Sequence, residues 1–214
     1  MKSKKFSYTV KEELGNTITH SIGIFLSIIG SFIIIINACI YNGSLLYILS
    51  SIIFSSSLLL MYSASTFYHF IKNKKLKILF QKLDHCAIYI LIAGSYTPFT
   101  LITLNNDSGI YLFIFIWGLA LIGILIETYS LKNSFYYSMI LYIAMGWSVL
   151  IFFQPLYNTL NINGLFLLIL GGLFYTFGII FFVWQKIPYN HMIWHIFVLA
   201  GSISHYLAIL NYVM

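Results

Sequence analysis

Residues 109–128 read GIYLFIFIWGLALIGILIET, twenty positions with a single charged side chain, Glu127, near the end. In a helix, twenty residues rise about 30 Å, the thickness of a bilayer's hydrocarbon core. The same reading repeats outward in both directions. Apolar runs cover about 18–41, 45–71 and 82–104 before this stretch, and 134–154, 163–184 and 190–212 after it. They are continuous rather than alternating, which excludes an outer-membrane barrel. Backbone groups in lipid must pair within each segment, so each run is a helix. The sequence therefore predicts an all-α integral membrane protein, a seven-transmembrane-helix bundle in a single domain over 1–214. The breaks carry turn chemistry: Asn42-Gly43-Ser44, Asn105 to Gly109, Lys132-Asn133-Ser134, Asn161 to Gly164, and Pro188-Tyr189-Asn190.

Composition agrees. Hydrophobic residues make up 60% of the 214 and charged ones 7%, against about 25% charged in a soluble domain, too few to clothe a water-facing surface. The first apolar run is too long for the core of a signal peptide and follows a polar stretch containing Glu12, Glu13 and Asn16, so it reads as a helix and not a leader.

Every basic residue is a lysine, and the lysines sort by loop. Lys2, Lys4, Lys5 and Lys11 precede the first helix. Lys72, Lys74, Lys75, Lys77 and Lys82 lie between the second and third, Lys132 follows the fourth, and Lys186 follows the sixth. Seven crossings put all of them on one face, and the positive-inside rule makes that face cytoplasmic, with the N-terminus inside and the C-terminus outside. The net charge of +6 is this topogenic set, attracted to anionic lipid. Without arginine or a soluble basic domain, no nucleic-acid partner is expected. Cys39 and Cys86 fall at opposite ends of the bundle, too far apart to pair, and read as packing residues.

Ionisable groups in a membrane are costly, so each is a functional candidate. Besides lysines they are Glu12, Glu13, His20, His69, Asp84, His85, Asp107, Glu127, His191, His195 and His205. Asp107 belongs to an outer loop. All the others except His205 fall near cytoplasmic helix ends, while His205, ten residues after His195, lies about 15 Å deeper. His191 and His195 are four apart, so their side chains share a helix face about 6 Å from each other. That is the spacing of the histidine pair in H-E-x-x-H zinc helices, here without the glutamate. A third histidine and an acid at the same depth turn the balance from interfacial hydrogen bonding towards metal binding. Three histidines with an open fourth position are the ligand set of catalytic zinc, where water ionises near neutral pH and a nearby carboxylate takes its proton. Asp84 is the best-placed acid. The spacing leaves His20, His69 and His85 as alternatives for the third ligand. Ser65, one turn before His69, reads as ordinary helix packing. Asn16 and Thr19 read as caps of the first helix, and Glu12 and Glu13 as its hydrated first turn.

Four stretches are specific. Glu12 to His20 reads E-E-L-G-N-T-I-T-H and Ser65 to His69 reads S-T-F-Y-H. Asp84 begins D-H-C-A-I-Y-I-L-I-A-G-S-Y-T-P, and His191 begins H-M-I-W-H-I-F-V-L-A-G-S-I-S-H. In this order, along nearly the whole chain, they closely resemble the bacterial hemolysin III family, related to the progestin and adipoQ receptors and through them to the adiponectin receptors and alkaline ceramidases. The resemblance implies a multi-pass protein of the bacterial cell membrane with a zinc ion near the cytoplasmic face. It implies His69, His191 and His195 as zinc ligands, Asp84 approaching the zinc through water, and Ser65 behind them. Glu13, Asn16, His20, His85 and His205 are motif residues to which it assigns no ligand role.

Three functions are compatible with that resemblance. The first is a zinc-dependent hydrolase of a lipid amide or ester, ceramidase-like, with a membrane lipid as substrate. The second is a pore-forming cytolysin with structural zinc; few polar side chains lie deep in the bundle, which leaves a pore between copies in a homo-oligomer. The third is a lipid sensor or receptor. Short loops leave little room for a protein ligand, and the large N-terminal domain of the adiponectin receptors has no counterpart here.

Overall fold

The computed structural model describes residues 8–129 and 134–214. Lys2, Lys4, Lys5, Lys132 and the break at Lys132-Asn133 lie outside the described residues. Seven helical spans are long and apolar enough to cross a membrane. They are α1 (Val10–Asn37), α2 (Leu45–Phe70), α3 (Lys74–Pro98), α4 (Asp107–Tyr129), a fifth span made of α5 (Ser134–Trp147) and α6 (Phe153–Thr159), α7 (Ile162–Val183) and α8 (Asn190–Tyr212). No strand occurs among the described residues. This is the seven-helix bundle expected from the sequence. Outward side chains such as Phe25, Phe32, Ile114 and Phe166 stay exposed, as a lipid-facing surface requires, while Asn16, His20, Ser65 and His69 are buried.

The helix starts differ from the expected ones, and the differences build the site. α1 begins at Val10 instead of near 18. Thr9 caps it: Thr9 Oγ1 accepts from the Glu12 N–H at 3.2 Å, and the Thr9 N–H donates to Glu12 Oε2 at 2.8 Å. That reciprocal T-x-x-E box, with two acids facing the positive end of the helix dipole, starts the helix two turns early. Asn16 and Thr19 are therefore interior positions and not caps. α3 begins at Lys74, because Asn73 Oδ1 accepts from the Lys75 and Leu76 N–H groups. Of the lysines expected between helices, Lys74, Lys75 and Lys77 thus sit on its first turns. Lys77 Nζ donates to Glu13 Oε1 at 2.6 Å, tying α3 to α1, and the Tyr189 N–H donates to Glu12 Oε1 at 3.1 Å, tying the entry of α8 to α1.

The fifth span is broken where a continuous helix to about 154 was expected. The Tyr96 hydroxyl of α3 enters the break, donating to the Met145 and Gly146 carbonyls at 2.9 Å and accepting from the Val149 N–H at 3.0 Å. Backbone groups released by the 3-10 stretch Ser148–Phe152 are thereby satisfied inside lipid. Pro155, expected in the outer loop, lies in the first turn of α6, where its missing N–H leaves no helix bond unmade.

Apolar side chains gain little from leaving lipid for a neighbouring helix, so close packing has to join the bundle. Glycines supply it. A Cβ on Gly23 of α1 would stand 2.3 Å from the Tyr62 ring of α2, and one on Gly123 of α4 would stand 2.2 Å from Tyr89 of α3. Tyr89 is fully buried and cannot retreat. Gly123→Val is expected to cost about 1–3 kcal/mol by overpacking, seen as a lower thermal midpoint in detergent. Gly118→Ala on the same helix, where a Cβ meets nothing within 4 Å, is expected to be neutral. Equal midpoints for both variants would remove Gly123 from the account of packing.

Candidate metal centre

Two helix ends bring three histidines together at the end of the bundle that carries Lys77 and Glu13. His69 stands in the last turn of α2, and His191 and His195 stand one turn apart at the start of α8. All three are buried, each offers a ligand nitrogen, and these nitrogens lie within 4.8 Å of one another. The i, i+4 spacing legible in the sequence brings the α8 pair together, with ring centroids 4.5 Å apart. Only the packing of α2 against its neighbours adds the third ring.

The surrounding hydrogen bonds decide which nitrogen of each ring is bare. His69 Nδ1 lies 2.6 Å from Glu13 Oε2. A carboxylate accepts, so Nδ1 carries the proton and Nε2 keeps its lone pair. Lys77 grips the other Glu13 oxygen. His195 Nδ1 lies 3.2 Å from the Asn16 carbonyl oxygen and 3.1 Å from Thr19 Oγ1. A carbonyl can only accept, so here too Nδ1 is protonated and Nε2 is bare. His69 Nε2 faces His191 Nε2 at 3.2 Å, and His191 Nδ1 is buried with no hydrogen-bond partner among the described residues. One proton from His191 serves at most one lone pair, whereas a cation would be met by three. A far nitrogen held by an oxygen acceptor is the usual dress of a metal-binding histidine, and His69 and His195 are held in this way. With His191 they make a set of three imidazoles that fits zinc or a similar borderline ion.

Glu13→Gln is therefore expected to lower metal affinity about 10–100-fold, measured by competition with a chelator of known affinity. Unchanged affinity would mean that Glu13 does not orient His69.

The other sequence candidates separate by location. Asp84 and Ser65 line the cavity that opens beside the histidines, with His191 and His195 in the same wall, and Asp84 has no salt-bridge partner among the described residues. Ser65, read from sequence as packing, is buried at this wall. His20 stacks on His195 at 3.5 Å between centroids, nearly parallel, and meets Tyr62 edge-on. It buttresses a ring and stays outside the ligand group. His85 turns the other way: its Nδ1 pairs with Glu127 Oε1 at 2.7 Å, and Ser138 donates to Glu127 Oε2 at 2.8 Å, joining α3, α4 and α5. His205 lies deeper on α8, against α7.

Three participants were not legible in these roles. Thr19 and Asn16 hold His195, and the T-x-x-E box at Thr9 was the signal that would have placed them inside the helix. Tyr8, outside the membrane spans, packs its ring 4.9 Å from His191, and burial pushes its hydroxyl pKa well above the usual range.

Comparison with known proteins adds the context. The haemolysin-III related family matches residues 8–206. Hemolysin-3 of Bacillus cereus is 43% identical over 213 residues, covering 100% of this chain and 97% of that protein. The Hemolysin-3 homolog of Bacillus subtilis (strain 168) is 45% identical over 205 residues, 96% of each chain. Monocyte to macrophage differentiation factor of Homo sapiens is 32% identical over 162 residues, 71% of this chain and 65% of that protein.

Proposed function

We propose a lipid-hydrolase function, starting from the premise that this chain belongs to the haemolysin-III related family of multi-pass membrane proteins. The reaction is the zinc-dependent hydrolysis of an amide or ester in a membrane lipid. The observation that carries this reading is the juxtaposition of three buried imidazoles with a buried carboxylate, Asp84, that has no salt-bridge partner among the described residues, at one end of an apolar cavity.

Zinc, when bound by His69, His191 and His195, supplies a Lewis acid and a water acidic enough to ionise near neutral pH. Asp84 would accept a proton from the attacking water as general base and return it to the departing nitrogen or oxygen. Ser65, on the same cavity wall as Asp84, offers a donor to the carbonyl oxygen. Glu13, Asn16 and Thr19 keep the rings in their tautomers. Met61, Leu91, Ile92, Ile179 and Val198 give the cavity an apolar wall for a hydrocarbon chain and keep bulk water from the reacting carbonyl.

A panel of N-acyl amides and acyl esters, incubated with purified protein and read as fatty acid released, tests the reading. Release suppressed by a zinc chelator and restored by zinc is expected. No release from any lipid by protein holding one zinc per chain would overturn it.

The names of the two Bacillus relatives favour a second reading, membrane permeabilisation with structural zinc. In that case dye leakage from liposomes would survive Asp84→Asn, and lipid turnover would be absent from the wild type.

A further inference from the structure

The cavity does not stop at the histidines. It follows α8 inward past Trp194 and Val198 to His205, and a second cavity, sharing Tyr96, Gly146, Trp147, Gly172 and His205 with the first, continues it to Leu112, Leu156 and Leu165. At the shared waist, Gly146 and Gly172 have nothing within 4 Å of the position a Cβ would take. The void is theirs to leave open.

His205 is built into this waist. Its ring lies against Gly171 of α7, where a Cβ would come within 2.2 Å of its Cδ2. Its Nε2 lies 3.1 Å from the Leu168 carbonyl oxygen, so Nε2 must donate, and the neutral ring presents Nδ1 as an acceptor. That Nδ1 is buried and has no hydrogen-bond partner among the described residues. The neighbouring donors are committed elsewhere. Ser95 donates to Ile92 O, Tyr96 to the Met145 and Gly146 carbonyls, Trp147 Nε1 to Thr176, and Thr176 to Gly172 O. Tyr175, edge-on to the ring at 5.5 Å, shares its hydroxyl with Ser202. Were packing the only task, an acceptor placed where no donor reaches it would be a cost without return.

We propose that His205 recognises a hydroxyl on the hydrocarbon chain of the lipid that occupies the cavity, so that the lipid class is a hydroxylated long-chain one. Ten residues of helix separate His205 from His195, placing the recognised group about 15 Å from the metal centre. Gly146 and Gly172 leave the waist wide enough for the chain to pass into the outer cavity. The inference rests on the lipid reading above and names the specificity of the same site.

The test compares 12-hydroxyoctadecanoate with octadecanoate as product-like probes of zinc-loaded protein in detergent, by displacement of a fluorescent fatty acid. Wild type is expected to prefer the hydroxy acid about tenfold, the worth of one hydrogen bond. His205→Phe should lose the preference while holding octadecanoate as before, and Gly172→Leu should weaken both long acids while sparing decanoate. A measurement on wild type stands in if the phenylalanine variant does not fold: the Nδ1 resonance of 15N-labelled His205 should move with the hydroxy acid and not with the plain one. Equal affinities in wild type, a preference that survives in His205→Phe, or an unmoved Nδ1 resonance would each overturn the proposal; the last would leave a water or mere packing at His205. Hydroxyl preference without any turnover would sink the hydrolase reading alone, and turnover without preference would sink this inference alone.

Discussion

Protein carrying His191→Ala and His195→Ala together is expected to purify without zinc, where the wild type holds about one ion per chain. The expected loss is close to complete, because His69 alone, on the last turn of α2, cannot retain an ion that needs three or four ligands. Both substituted side chains are buried, so a second measurement has to separate lost ligands from a lost fold. The glycine contacts that join α7 to α8, Gly171 to His205 and Gly178 to Trp194 and Phe197, use other side chains of α8 and are untouched. The bundle is expected to elute as wild type and keep its helix content. His85→Gln supplies the contrast: that ring belongs to the Glu127 pair, and its removal should leave metal content unchanged. Zinc retained by the double variant would place the ion elsewhere. A wild type that binds no zinc when zinc is supplied would end the hydrolase mechanism and leave permeabilisation as the working account.

Asp84→Asn is expected to keep the zinc and lose lipid turnover by about 10²–10⁴-fold, the usual contribution of a positioned general base. The amide preserves the shape of the carboxyl group, so the cavity wall survives, but it cannot accept a proton. Metal content and turnover must be measured on the same preparation. Turnover lost with zinc intact assigns Asp84 to proton transfer. Turnover and zinc lost together would make it a ligand, and turnover unchanged would remove it from the chemistry. Glu13, another acid at this end, is not an equivalent candidate. Both of its oxygens are engaged, one by His69 and the other by Lys77, so its substitution should act on affinity rather than on the chemical step.

The comparison of sequence with structure is instructive at α1. Counting hydrophobic residues starts the helix near 18 and leaves Glu12 to Thr19 as a polar approach. The capping box at Thr9 and Glu12 was readable, and it converts that approach into two turns of helix whose inner face carries Glu13, Asn16 and Thr19. Hydropathy missed it because these turns lie where a helix no longer needs apolar side chains all round. The reverse failure occurs in the fifth span. Its residues are uniformly apolar, yet Tyr96 from another helix interrupts it, and no local pattern announces a break whose partner is some fifty positions away.

What the sequence determined by itself was the number of crossings, the common end of the lysines, and the pairing of His191 with His195. Each follows from local physics: backbone groups must pair within a segment in lipid, lysines seek the cytoplasmic face, and residues four apart share a helix face. Only the tertiary structure decided which other histidine joins that pair. His20, His69 and His85 stand at similar depth on three helices, and depth is all that a linear pattern reports. Their fates depend on how each helix is rotated and on what it touches. Close packing at Gly23 lays α1 against Tyr62, whose ring meets His20 while that histidine stacks on His195. Glu127 on α4 draws His85 away. Glu13 on α1 holds His69 with its free nitrogen towards the pair. The same dependence on a neighbouring backbone, Gly171 and Leu168 of α7, left His205 with an acceptor that none of the described residues fills.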